Sequence, residues 1–353
     1  MGKENDMMLE YLRDNQRFAD LFNGGLFAGK QVVNADDLVE AGESYTEYRG
    51  GNAPEAGLSE TAVTNISCVN TSDLPGARNK RRFSKSKEST GTATRMRDIK
   101  KRLKSGTEFR ILAVEDQSYV DYTMPWRCMN YDSLEYGRQV KNIQKQNQKI
   151  GEYANDGERL CRFTRKDRLA PVYTVCLYHG TEQWDGPRNL KDMMEFGSDE
   201  ERAVWEHCFS DYHMNLVCVN ELKNFTKFNT GLRELFWLMT YRKDKQGMKR
   251  FLEQHEEYQH LDEETARVIS GVIGVETFMG DSERYKEGKE YNMCQAIREM
   301  WNDGWNDGLS AGVSLSAKVF SAVRSGLSDN QEIADLCNCT VNEVENIRKV
   351  FDI

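Results

Sequence analysis

The sequence predicts an α/β core, a mixed sheet flanked by helices, followed by a C-terminal helical region. Three observations carry this. Phe109–Gln117 is a largely apolar run directly after the turn-like Lys104-Ser105-Gly106-Thr107. Two further short runs, Val172–Tyr178 and Met214–Val219, are rich in β-branched residues, and their length favours buried strands over buried helix. After about Glu221 the chain reads as helical throughout, with turn signals near Gly271–Gly274, Gly280 and Gly326.

Taken in order, Asn5 to about Val33 has Met8, Leu9, Leu12, Phe18, Leu21 and Phe22 at helical spacing, and Asn23-Gly24-Gly25 interrupts the run. From about Gly42 to Thr94 the chain is polar and irregular, so a loop is expected, with one short strand near Val63–Val69 and a flexible insert over about 50–94. Met96–Leu103 forms the first strand of a hairpin with Phe109–Gln117. Met124-Pro125 opens a helix with proline in its first turn, which continues to about Gln148. The expected domains are therefore 1–225 and a helical 226–353. Trp301-Asn302-Asp303-Gly304 recurs as Trp305-Asn306-Asp307-Gly308. Its polar residues argue against a membrane helix and for a helix or turn with one small face.

The 353 residues carry 39% hydrophobic and 30% charged side chains, enough for a real core. No run nears eighteen apolar residues, and the start, Met1-Gly2-Lys3-Glu4-Asn5-Asp6, leads into no apolar signal core; a cytoplasmic protein with no membrane partner is expected. Nine cysteines suit free thiols. Cys337 and Cys339 lack partners at zinc spacing, and His255 and His260, five apart, point to different helix faces. A net charge of −9 counts against binding nucleic acid over the whole surface but allows a local basic groove. The basic residues cluster in Arg78–Lys87, which includes Lys80, Arg81 and Arg82, and in Arg95–Lys104, which includes Lys100. Each cluster is either solvated surface or a phosphate contact.

The chemistry concentrates at Arg97-Asp98 and Glu115-Asp116-Gln117. On a strand Glu115 and Gln117 share a face, and hairpin pairing can bring Asp98 beside Glu115. Two carboxylates converging there would suit Mg²⁺, which takes oxygen ligands and keeps several waters, with the Asp116 backbone carbonyl as a further ligand. Read alone, an acid at the end of an apolar strand is usually just a strand terminus.

This stretch and its surroundings resemble the recombination-promoting nuclease group, PD-(D/E)XK nucleases similar to transposases. Members pair an Asp in the first hairpin strand with Glu-x-Gln at the end of the next, where most of the superfamily has Glu-x-Lys; here these are Asp98, Glu115 and Gln117. The resemblance continues through Met124-Pro125-Trp126-Arg127, Tyr131 and Tyr136, and through Pro171-Val172 to Leu177-Tyr178-His179-Gly180 and Trp184. The opening Arg17–Asn23 looks like the family's first helix, whose acid corresponds to Asp20. It spans roughly residues 10–225. It implies a restriction-endonuclease-like core and a Mg²⁺-dependent DNA endonuclease (Mn²⁺ or Ca²⁺ being other divalent options) that promotes recombination or transposition. Asp98, Glu115 and Gln117 would be catalytic, and Asp98, Glu115, the Asp116 carbonyl and Asp20 would hold the metal. Gln117 cannot bring the lysine's charge to the nucleophile and would orient water by hydrogen bonding.

Asp20 is equally read as an exposed helix carboxylate, Arg127 as a phosphate contact or a partner of a core carboxylate, and Tyr131 and Tyr136 as core or rim. Leu327–Phe351 reads as two helices around Cys337-Asn338-Cys339 and resembles a helix-turn-helix over 327–351. Glu343 and Glu345 offset Arg348 and Lys349 there, which favours a plain αα-hairpin that could serve a homodimer. The competing functional expectation is an inactive nuclease-fold protein that binds DNA or assembles.

Overall fold

A computed structural model describes residues 3–41, 44–48, 92–105 and 108–353. The short strand expected near Val63–Val69, Lys80, Arg81, Arg82 and nearly all of the expected 50–94 insert lie outside the described residues. The chain divides into two compact units, Met1–Arg233 and Glu234–Ile353.

In the first unit the N-terminal helical pattern is two helices, α1 (Lys3–Leu12) and α2 (Asn15–Gly25). The break has a local cause. Asp14 adopts an extended backbone and its carboxylate accepts the Arg17 N–H at 3.0 Å, so it caps a new helix where continuous periodicity suggests one. Next come β1 (Leu38–Glu40), β2 (Ser44–Tyr48) and β3 (Thr92–Met96), then β4 (Ile99–Ser105) and β5 (Glu108–Gln117). The expected strand Met96–Leu103 is thus interrupted at Arg97-Asp98, where the chain bends.

The 27-residue α3 (Met124–Ile150) has Pro125 in its first turn and stops at Gly151, whose φ of 73° lies in the left-handed region that glycine enters without strain. Then follow α4 (Asp156–Cys161), β6 (Val172–Tyr178), α5 (Asp199–Cys208) and β7 (Asn215–Cys218). The sheet has five strands in the order β1-β4-β5-β6-β7. Strands β1, β4 and β5 pair antiparallel, and β5, β6 and β7 pair parallel, so the sheet is mixed.

Alternation sorts the side chains between two covered faces. One face presents Lys100, Ala113, Glu115, Thr174 and Cys176 to α3, where Cys176 and Tyr178 join Met124, Cys128 and Trp184 in a buried cluster. The other presents Leu112, Val114, Asp116 and Lys101 toward α1 and α2. Lys101 is fully buried there, its ammonium bonded to the Arg13 carbonyl at 2.5 Å and Asn15 at 2.6 Å.

The second unit is helical apart from one hairpin. It holds most of α6 (Leu232–Met239), α7 (Lys245–Leu252), α8 (Glu263–Ile273), α9 (Glu276–Gly280), α10 (Met293–Arg324), α11 (Asn330–Cys337) and α12 (Val341–Phe351). The hairpin, β8 (Lys286–Glu287) and β9 (Glu290–Tyr291), departs from the all-helical expectation. It is held by the buried Tyr291, which pairs with Leu261 through both backbone bonds. The Trp-Asn-Asp-Gly repeat lies within the continuous α10. Among the described residues no helix is long and apolar enough to cross a membrane.

Candidate active site

The hairpin register places the site. Ile99 pairs with Val114, so the residue before Ile99 and the residue after Val114, Asp98 and Glu115, meet where β4 begins. The bend at Asp98 turns its carboxylate onto β5, where Oδ2 accepts the Asp116 N–H at 2.8 Å. Asp98 thus caps the β5 backbone between Glu115 and Gln117. Gln117 is half-buried and, like Glu115, lies on the α3 face, as their parallel partners Tyr178 and Cys176 show.

Glu115 is fully buried. Its Oε2 lies 3.5 Å from the Arg127 guanidinium, and its Oε1 has no hydrogen-bond partner. Burial first, then the charge of Asp98, push its pKa up to about 8, against the pull of Arg97 and Arg127. That influence is the electrostatic sign of two carboxylates at one spot. Arg127 stands on the first turns of α3, and its stronger contact is with Asp121 at 2.6 Å. Of the two alternatives for Arg127, the one seen is pairing with carboxylates.

The neighbouring acids Asp132 and Glu135 are each held by a cation. The Asp132 carboxylate accepts from Arg97, from the Thr174 hydroxyl and from the Tyr212 hydroxyl, each at 2.6 Å. Glu135 accepts from Lys100 at 3.1 Å and pairs with Arg138. Lys100 is therefore no groove residue. It is 2% exposed and its pKa is lowered by burial, so the expectation of a DNA contact there is corrected: strand alternation turns Lys100 inward onto α3. Asp20 is also corrected as an exposed helix acid, being 3% exposed. Its two oxygens accept the backbone N–H groups of Asn229 and Thr230 and the Thr230 hydroxyl, at 2.7–2.9 Å. That carboxylate is committed to holding the loop before α6, which leaves a metal role without geometric support.

The back of the site was not visible in the sequence. Asp116 points away from Glu115 and its Oδ2 lies 3.2 Å from Nε2 of the fully buried His179, while Asn5 of α1 donates to the Asp116 carbonyl at 3.4 Å. After His179, a Cβ added to Gly180 would meet the Ser118 carbonyl at 2.4 Å, so glycine is needed for the chain to pass this close to the end of β5. The Arg97–Asp132 pair joins residues 35 apart, and no local pattern announces it.

Among the described residues, no group of three or more His, Cys, Asp or Glu side chains is arranged to hold a metal ion. The donor set that does converge is two carboxylates, Asp98 and Glu115, beside the Asp116 carbonyl. An orphaned buried carboxylate oxygen is the feature a hard cation would satisfy, and Mg²⁺ is commonly bound through one or two carboxylates with retained waters. The residues present fit such an ion. Comparison with family models, with curated proteins and with solved structures finds no match.

Proposed function

We propose that the chain is a Mg²⁺-dependent DNA endonuclease with a restriction-endonuclease-like core. One observation carries this reading: Glu115 is buried with its Oε1 lacking any hydrogen-bond partner, next to the Asp98 carboxylate, whereas the acids Asp132 and Glu135 on the same face are each held by a cation. A buried polar oxygen without a hydrogen-bond partner is expensive, and such exceptions concentrate at functional sites.

Asp98 and Glu115, with the Asp116 carbonyl, would hold the ion, which when bound supplies Lewis-acid chemistry toward water and offsets charge developing on phosphate. Gln117, one step further on the same strand face, orients the attacking water through its amide. Arg127 forms an ion pair with Glu115 at the mouth of α3. Its 3.5 Å contact with Glu115 is the weaker of its two, so it can leave Glu115 for a phosphate oxygen while Asp121 still steers it. The antiparallel β4–β5 hairpin followed by parallel β6 supports the core assignment.

The test is cleavage of plasmid DNA with Mg²⁺, beside an Asp98→Ala control. Nicking that needs the divalent ion and disappears in Asp98→Ala is expected. Arg127 already supplies positive charge to Glu115, which also favours a second reading, an inactive nuclease-fold protein that binds DNA. Metal-independent DNA binding with no nicking, unchanged in Asp98→Ala, would select that reading.

A further inference from the structure

The distal half of α3 carries charge of one sign. From Gly137 to Ile150 the helix has Arg138, Lys141, Lys145 and Lys149 and no acidic residue, in a chain whose net charge is −9. Lys141, Lys145 and Lys149 recur every four residues and so form one row, with steps of about 6 Å along the axis. Like charges at that spacing repel, and within the helix no acid stands one turn from any of the three to offset them. Lys149 lies in the last turn, where the helix dipole favours a cation, but Lys141 and Lys145 lie before it.

The chain then returns along α3 and adds to this charge. Across residues 138–168 basic side chains outnumber acidic ones by nine to four. Polar side chains of α3 hold the return in place. Gln139 exchanges both amide hydrogen bonds with the Ala170 backbone at 3.2 and 2.7 Å, Gln144 donates to the Cys161 carbonyl at 2.8 Å, and Asn147 donates to the Arg162 carbonyl at 3.1 Å. At 100° per residue these three centre on the side opposite the lysine row, where Lys145 and Lys149 are exposed and Lys141 half-buried. Arg162 reaches Gln148, next to Lys149, at 3.0 Å. Of the four acids, Glu158 and Asp167 accept backbone N–H groups that shape the return, and Asp156 pairs with Arg159. Among the described residues no ion pair reaches Lys141, Lys149, Arg165 or Lys166.

We propose that the Lys141–Lys149 row of α3 binds the phosphate backbone of duplex DNA beside the candidate active site. A rigid helix with several unpaired cations in a strongly acidic chain is a local surface for a polyanion. Asn142, Gln146 and Gln148 lie among the lysines, and amides of this kind bond phosphate and sugar oxygens. The row has no Leu, Phe or Trp interleaved to enter a lipid interface, which favours nucleic acid over a membrane. Lys141 and Lys149 stand about 21 and 33 Å along α3 from Arg127 at 1.5 Å per residue. A duplex lying on the end of β5 would meet them about six to ten base pairs from the cut, at about 3.4 Å per pair. Where the duplex is cut rests on the nuclease reading; that it binds here does not.

The test is binding of a duplex of about 30 base pairs, long enough to pass both the row and the end of β5, measured by fluorescence anisotropy in EDTA over a salt series. Lys141→Gln, Lys145→Gln and Lys149→Gln together should weaken binding about tenfold or more and lower the log–log salt slope by about 2–3, since each phosphate contact contributes about 0.9. Glutamine matches lysine in helix propensity, so melting should hold. The same three lysines changed to arginine should bind like the parent. Lys289→Gln, Lys318→Gln and Lys349→Gln remove equal charge from exposed positions of the second unit and should keep the parent slope. With Mg²⁺, the neutral row variant should need more DNA for half-maximal nicking and reach the parent rate at saturation. A parent that does not bind the duplex, a row variant with the parent slope, a second-unit variant that loses as much slope, or tighter binding to vesicles of phosphatidylcholine and phosphatidylserine would overturn the proposal. The slope change without any nicking would uphold it and count against the nuclease reading alone.

Discussion

Two groups of buried charge lie under α3 on the same face of the sheet, and they differ in one respect. Around Arg97 and Lys100 both buried carboxylates have their cations: Asp132 holds Arg97 with two hydroxyl groups in support, and Glu135 lies between Lys100 and Arg138. At the end of β5, Glu115 is equally buried, yet one oxygen has no hydrogen-bond partner and the ion pair it makes, with Arg127, is long at 3.5 Å. Folding alone explains the first group. The second is left incomplete in the folded chain, and that difference separates a scaffold from a site.

The sharpest way to break the comparison is at Arg97. Arg97→Ala leaves the buried Asp132 charge without its cation, so a loss of about 3–5 kcal/mol is expected in denaturant unfolding. A loss within about 0.5 kcal/mol would mean that the charges under α3 are not structural in the sense argued.

Glu115→Gln should behave in the opposite way. It replaces a carboxyl that burial keeps largely protonated near neutral pH with a neutral amide of the same shape, so stability there should hold while cleavage disappears. The pH dependence gives the sign. The folded pKa of about 8 lies above the ordinary 4.5, so the folded chain binds this proton more tightly than the unfolded chain. Its stabilising share is full below pH 4.5 and is lost as pH rises through 8. Melting temperatures of the parent should therefore fall across that window more steeply than those of Glu115→Gln. Mg²⁺ should restore the parent at the alkaline end and leave the variant unmoved. Parallel pH profiles for the two proteins would remove the argument that Glu115 is an unpaired buried acid.

Much of this was legible in the sequence, and the gaps have physical causes. Strands β5, β6 and β7 announced themselves because a strand buried on both faces is a short β-branched run. Asp98, Glu115 and Gln117 were found together because hairpin register and two-residue alternation are local rules. Lys100 was read outward with its basic neighbours, although the same alternation sets it on the face of Glu115; the carboxylate it meets there, Glu135, lies 35 residues on. Asp20 was misread as exposed for the same reason, since its partners Asn229 and Thr230 are more than 200 residues away. Long-range pairing of charge leaves no periodic trace.

Asp20→Asn sharpens the comparison at smaller scale. The carboxylate accepts several hydrogen bonds that an amide cannot all replace, so a loss of about 1.5–3 kcal/mol is expected. Half-maximal Mg²⁺ for cleavage should not move. If it rises strongly while stability is preserved, Asp20 belongs with the metal ligands after all.

Gln117→Lys is expected to have the smallest effect on stability and decides most about the site. Gln117 is half-buried at the open end of β5, so a lysine there can extend its ammonium toward solvent or toward Asp98 and Glu115 without being sealed in. The change in unfolding free energy should stay within about 1 kcal/mol. If Gln117 holds the position where the nucleases this stretch resembles keep a lysine, the new charge sits beside the attacking water and cleavage should be preserved or faster. If Gln117 were merely a strand residue, lysine would pair with Glu115 directly, pull its pKa down from about 8 and compete with Mg²⁺ for it. Half-maximal Mg²⁺ would then rise with no gain in rate at saturation. Measuring cleavage against Mg²⁺ concentration in the two proteins separates these outcomes, because a faster rate at saturating metal can come only from a group that acts on the reacting atoms.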